Sequence, residues 1–157
     1  MIFHTRIIEV REEKNHLNIT QLLNDEVKRA GVLEGLVVVY PLHTTMGLHA
    51  LVIKKQEDEP GLVNDIKKCF EKVFPEGLYY EHDDFKKRTV NMSPNERRNG
   101  FAHLMATFFT KSSETIVIHE GKLVLGSWQS ILLFDFDPKN RGARNIVIQV
   151  SGSGKKK

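Results

Sequence analysis

The most constraining stretch of this chain is Asn99-Gly-Phe-Ala-His103-Leu-Met-Ala-Thr107-Phe-Phe109. Wound as a helix, its apolar residues point in nearly every direction, so it must be buried. Asn99, His103 and Thr107 nevertheless recur at i, i+4 and i+8, which stacks them as one polar stripe. Buried polar groups are costly unless paired. Either other parts of the chain or a ligand must therefore face that stripe.

The rest of the sequence sets bounds on what can surround it. At 157 residues the chain forms one domain, read as residues 1–150, with a disordered Lys-rich tail at 151–157. The net charge of +3 owes much to Lys155-Lys-Lys157, which gives nucleic-acid binding little support. No apolar run approaches the roughly 20 residues of a membrane span, and no secretory leader is evident. Cys69 is the only cysteine, which excludes an internal disulfide and fits a reducing cytoplasm.

Hydrophobic periodicity places the elements. Residues 3–11 read as a strand, and Asn18 with Gln21 resembles a capping box opening a helix that Gly31 stops. The runs 36–42 and 48–53 read as strands on either side of His43-Thr44-Thr45 and Gly47. Pro60 opens a second helix with Leu62, Ile66, Cys69, Phe70 and Val73 on its inner face. Residues 76–98 form a long polar loop, of the kind that is functional or mobile. After the central helix come strands at 114–119, at 123–136 with Gly126 as a bulge or close approach, and at 145–150. Along the long strand Trp128, Ser130, Leu132, Phe134 and Phe136 share one face. Gln129, Ile131, Leu133, Asp135 and Asp137 share the other. The expected class is α+β, with a mainly antiparallel sheet curled as a pseudo-barrel or sandwich around the buried helix.

Several polar residues carry candidate chemistry. His43, His82 and His103 would leave an open coordination position if they met at one zinc-like metal, with Asp83 or Asp84 orienting an imidazole. The plainer reading is that each satisfies local hydrogen bonds, His103 as a core histidine. His49, alternating with Leu51 and Ile53, reads as structural. Thr44 and Thr45 sit where hydroxyls and backbone N–H groups can meet an anion, or form an ordinary polar turn. Asp135 and Asp137 read as metal ligands, base-positioning groups or simple strand ends. Arg141 and Arg144 suit phosphate, or solvent.

His43-Thr-Thr-Met-Gly47, Tyr80-Glu-His82-Asp83, Asn99-Gly-Phe-Ala-His103-Leu, Glu120-Gly-Lys-Leu and Leu125-Gly-Ser-Trp-Gln129 occur in this order. Together they resemble the YjbQ-like family, some members of which are described as secondary thiamine-phosphate synthases. The likeness implies a sheet wrapped around a helix, a homotrimer, and a site built from His43, His82, Asn99, His103 and Gln129. It also implies weak synthesis of thiamine phosphate from a pyrimidine diphosphate and a thiazole phosphate, small phosphorylated metabolites. The expected catalytic set is His103, His82, Asn99, Gln129 and Asp135. Thr44, Thr45, Arg141 and Arg144 are expected on phosphate, and His43, His82 and His103 on a divalent metal, zinc-like or magnesium. A metal-dependent hydrolase and a non-catalytic small-ligand binder are the alternatives. The chain departs from the family at Asp135-Phe-Asp137-Pro-Lys-Asn-Arg141, in place of an Asp-Gly-Pro-Arg-like turn, and at Lys54-Lys55, in place of an Asn-Glu pair.

Overall fold

The computed structural model describes residues 1–10, 16–52, 60–139 and 144–154. The elements in chain order are β1 (Ile2–Val10), β2 (His16–Asn18), α1 (Thr20–Ala30), β3 (Val32–Pro41), β4 (Met46–Val52), α2 (Pro60–Val73), a 3₁₀ turn (Glu81–Asp83), α3 (Gly100–Phe109), β5 (Glu114–His119), β6 (Lys122–Leu123), β7 (Gln129–Asp135) and β8 (Arg144–Gly154). Two antiparallel sheets result, one ordered β1-β8-β3-β5-β6 and one ordered β2-β7-β4. The α+β class and the antiparallel pairing are as expected, but neither sheet closes into a barrel. No helix among the described residues is long and apolar enough to cross a membrane.

Strand β7 lies between two cores. Ile131 and Leu133 join Leu23 and Val27 of α1 and the inner residues of the larger sheet, including Val37, Val39, Ile146 and Ile148. Leu132 and Phe134, with Phe136 beyond the strand, join Val63 of α2 and Ala102 and Met105 of α3. The alternation read from the sequence therefore sorts side chains between two interiors.

Helix α3 covers one face of the small sheet and is not enclosed. Ala102 and Met105 are buried, whereas Phe108 is 68% exposed and stacks on Phe74, 5.6 Å between centroids. A three-stranded sheet offers the helix a single face, so its far side meets solvent. On α2 the inward residues are Leu62, Val63, Ile66 and Phe70, with Phe74 just beyond the helix, while Cys69 and Val73 are exposed. Cys69 is thus no core residue.

Three connections differ from the sequence reading. The strand expected at 123–136 is broken at 124–128, because Gly126 and Gln129 form a turn: Gln129 N–H donates to the Gly126 carbonyl (2.9 Å) and Gly126 N–H to Gln129 Oε1 (2.8 Å). Its two halves belong to different sheets. The tail expected to be disordered from 151 instead continues β8 through Gly154, paired with β1 and β3. The small residues are what let it fit, since a Cβ on Gly152 would lie 2.1 Å from the Glu34 carbonyl oxygen. Lys155–Lys157, Arg141 and Lys54-Lys55 lie outside the described residues.

One charged group pins α1 to the larger sheet. Glu26 is 1% exposed, and its carboxylate accepts hydrogen bonds from Arg6 Nη1 (2.7 Å) and His4 Nε2 (3.0 Å) on β1. Burial opposes ionisation, but His4, Arg6 and Arg29 outweigh it and hold the carboxyl below its ordinary range. A group with a lowered folded value stabilises the fold above its unfolded value and loses that contribution as pH falls through the folded one. Arg6 is partly exposed and rehydrates when its partner is removed. Glu26→Gln should therefore cost about 1–3 kcal/mol at neutral pH, read as a lower urea midpoint. The gap from the parent chain should narrow as pH falls below the ordinary glutamate range and the Glu26 carboxylate takes up its proton.

Candidate functional site

The polar residues gather where β3 runs into β4, β7 ends and β8 begins. Arg144 organises this end. It is 7% exposed, and its guanidinium donates from Nε to Asp135 Oδ2 (2.7 Å), from Nη2 to the Asp137 carbonyl (2.9 Å) and from Nη1 to His43 Nε2 (3.1 Å). Asp135 Oδ1 in turn accepts the Asp137 N–H at 2.9 Å. Arg144 and Asp135 thus hold three chain segments together.

That contact fixes the His43 tautomer. A guanidinium only donates, so Nε2 must be the unprotonated nitrogen. Nδ1–H then donates to Thr45 Oγ1 at 2.9 Å, a shorter contact than the one from the Thr45 backbone nitrogen at 3.4 Å. Burial, followed by the Arg144 charge, pushes the imidazole below its usual range despite Asp135 and Asp137, so His43 is neutral at pH 7. Thr45 is fully buried, and its carbonyl accepts the Phe136 N–H (3.0 Å), so it positions His43 and ties the turn to β7.

Helix α3 brings in Asn99 and His103. Its N-terminus is capped at a distance: Asp83 Oδ1 accepts the N–H groups of Asn99 and Gly100, both at 2.9 Å. A Cβ on Gly100 would stand 2.8 Å from Tyr80 Cβ, so glycine permits that approach. Asp83 caps a helix, and Asp84 accepts from Tyr79 Oη, at 3.0 Å. Neither hydrogen-bonds an imidazole among the described residues. Asn99 is 8% exposed and donates from Nδ2 to buried Asp137 Oδ2 at 3.0 Å. Asn99 Oδ1 has no partner among the described residues, and a water or ligand donor would complement it.

His82, on the 3₁₀ turn, lies 4.6 Å from His103 between ring centroids. Arg88 Nη1 approaches both its ring nitrogens, at 3.1 and 3.3 Å. Arg88 also pairs with Glu96. Hydrogen bonds from Arg88 and from the Ser93 backbone and hydroxyl lower Glu96 to about 2. The sequence reading missed Arg88 and Glu96, although Ser93-Pro-Asn-Glu96 has the spacing of a capping box.

His103 hydrogen-bonds the Thr44 backbone, and burial followed by the charge of His82 drives its pKa below the ordinary histidine value. Its ring therefore carries a fixed N–H toward a carbonyl and a second nitrogen with no hydrogen-bond partner among the described residues. His103 and Thr107 line an open cleft of about 870 Å³ with His43, Thr44 and Tyr40. Two of the three stripe residues thus face a space a ligand can enter, whereas Asn99 turns to Asp137.

His43, His82, His103, Asn99, Asp135, Thr44, Thr45 and Arg144 thus share one end of the molecule. Gln129 does not: it begins β7 while Asp135 ends it, about 20 Å away at 3.3 Å per residue. The residues as placed do not fit the three-histidine metal site. His43 Nε2 and His82 face guanidinium cations, and no group of three or more His, Cys, Asp or Glu among the described residues could hold a metal ion. His49 is structural, its ring nitrogen hydrogen-bonded to the Phe109 carbonyl at the end of α3.

Comparison with known proteins covers nearly the whole molecule. A UPF0047 protein of Archaeoglobus fulgidus is 40% identical over 121 residues, covering 76% of this chain and 82% of the relative. YugU of Bacillus subtilis, also a UPF0047 protein, is 25% identical over 135 residues, covering 85% and 89%. Among solved structures, a YbjQ-like protein of unknown function from Sulfolobus solfataricus superposes with a TM-score of 0.74 at 25% identity, covering 96% of each chain. An uncharacterised YjbQ/UPF0047 protein of Clostridium acetobutylicum superposes at 0.72 with 28% identity, covering 94% and 99%. Residues 4–153 match the family described as UPF0047 protein YjbQ-like, and the chain belongs to that family.

Proposed function

We propose that the cleft binds a small phosphorylated metabolite and that the protein is a secondary thiamine-phosphate synthase. The observation that carries the reading is His103, a neutral imidazole hydrogen-bonded to the Thr44 backbone at the cleft, with no second hydrogen-bond partner for its ring among the described residues. In the reaction a C–N bond forms between the pyrimidine methylene carbon and the thiazole nitrogen as the C–O bond to pyrophosphate breaks. His103 accepts a hydrogen bond from the substrate, and the hydroxyl of Thr44 contacts phosphate. The exposed single thiol of Cys69 suits a reducing cytoplasm.

A non-catalytic binder is the second reading, because none of the described residues lining the cleft is lysine or arginine. Arg144 and Arg88 stand behind the histidines, each already paired with a carboxylate. Pyrophosphate release from the two purified substrates separates the readings: turnover supports the synthase, whereas binding of either substrate without turnover supports the binder. His103→Ala should lower turnover about tenfold, as for loss of one hydrogen bond to the substrate. The loss of one half-buried hydrogen bond costs about 1 kcal/mol, so its melting temperature should stay within a few degrees. The neutral ring is the active form, so the rate should fall only as pH drops below the ordinary histidine value near 6.5. A large melting drop with unchanged turnover would make His103 structural.

The same reading includes a homotrimer. The strand face carrying Trp128, Leu132 and Phe134 does not supply its interface. Leu132 and Phe134 are buried in the core with α2 and α3. The open apolar face is the outer side of the larger sheet, where Phe3, Leu36 and Val117 lie in one cross-strand row and Ile7 and Tyr40 in another. These five are 66, 42, 52, 65 and 45% exposed. A contiguous face of this kind marks an association surface. Light scattering should report three chains per particle, and Ile7→Lys should shift the population toward monomer. A monomeric parent chain at micromolar concentration would rule the trimer out.

A further inference from the structure

The opposite side of α3 borders a second cavity. Residues 101 and 105 lie about 200° around the helix from His103, and they face a pocket of about 440 Å³ between α2, α3 and the end of β7. That volume falls within the range of small-molecule sites. Its floor is aromatic. Phe70 stands edge-on to Phe136 at 5.5 Å and to Phe134 at 6.3 Å, while Phe134 and Phe136 stack at 5.9 Å. Phe101 and Met105 close the helix side.

The rim is charged, and its cations are uncommitted. Lys67, Arg97 and Arg98 line the mouth, and none of the three makes a hydrogen bond or ion pair among the described residues. Lys139, by contrast, is engaged with Glu76 at 3.5 Å. Two features oppose a doubly charged phosphate. The first N–H groups of α3 are already taken by Asp83, and the carboxylates of Glu71 and Asp137 also border the pocket. A planar single anion instead matches the fork of a free guanidinium.

We propose that this pocket binds a small aromatic carboxylate, its ring on the Phe70–Phe101–Phe136 floor and its carboxylate at Arg97 and Arg98. The site is separate from the histidine cleft and does not depend on the synthase reading.

Isothermal titration of the full chain with 1-naphthoate, 1-naphthalenemethanol and 1-naphthyl phosphate tests it. One saturable site per chain is expected, with naphthoate at least about tenfold tighter than the neutral alcohol, as for a charge-assisted contact. The double variant Arg97→Gln/Arg98→Gln, changed only at exposed positions, should weaken naphthoate by a similar factor and leave the alcohol unaffected. His103→Ala should leave naphthoate binding intact. Absence of saturable binding, equal affinity for carboxylate and alcohol, or an unaffected double variant would overturn the site. Tightest binding of the naphthyl phosphate would overturn the choice of a single anion. Loss of naphthoate binding in His103→Ala would move the ligand to the histidine cleft and overturn the separate pocket.

Discussion

The structure depends on β7 being buried on both faces. Ile131, Leu132, Leu133 and Phe134 are each at most 3% exposed, and they alternate between two interiors. Fully burying a large apolar side chain contributes about 1.5–3 kcal/mol. Four such residues on one strand therefore rival the whole net stability of a typical domain, about 5–15 kcal/mol. Helices α2 and α3 pack on one face of this strand, and α1 with the larger sheet on the other.

The polar site follows from where that strand ends. Once the side chains of β7 are fixed, Asp135 emerges at its end and meets Arg144 at the start of β8. A buried guanidinium is stabilising only when its donors are satisfied, and its acceptors among the described residues include Asp135, the Asp137 carbonyl and His43. The arginine expected on phosphate becomes the clamp that sets the His43 tautomer. Asp137 carries the linkage onward through Asn99 to the head of α3.

Helix α3 then works as a wall between two spaces of different chemistry. His103 and Thr107 turn toward the open cleft, and Phe101 and Met105 toward the aromatic pocket. The stripe spacing that singled out the helix in the sequence holds in three dimensions for His103 and Thr107, while Asn99 turns to Asp137. Its meaning changes, because the helix lies on a sheet and is not wrapped by one.

What the sequence determined by itself is local and periodic. The alternation along 128–136, the i, i+4, i+8 stripe of α3, the stop of α1 at Gly31 (φ 68°) and the Glu120-Gly121 turn, both at positive φ, all follow from backbone geometry within a few residues. The YjbQ-like motifs were equally legible, being short runs at suitable spacing. Which strands pair, and so which polar groups meet, was decided only by the tertiary structure. Gly126 reads equally well as a bulge or a break until β6 and β7 are seen in different sheets. Ser151–Gly154 look like a solvated tail until β1 and β3 take up their backbone groups. Asp83 finds the N–H groups of residues 16 and 17 positions away, and Arg144 reaches a histidine 101 positions back. Such contacts leave no periodic trace, because their cost of loop closure grows only slowly with separation and the gain comes from satisfying groups that burial would otherwise strand.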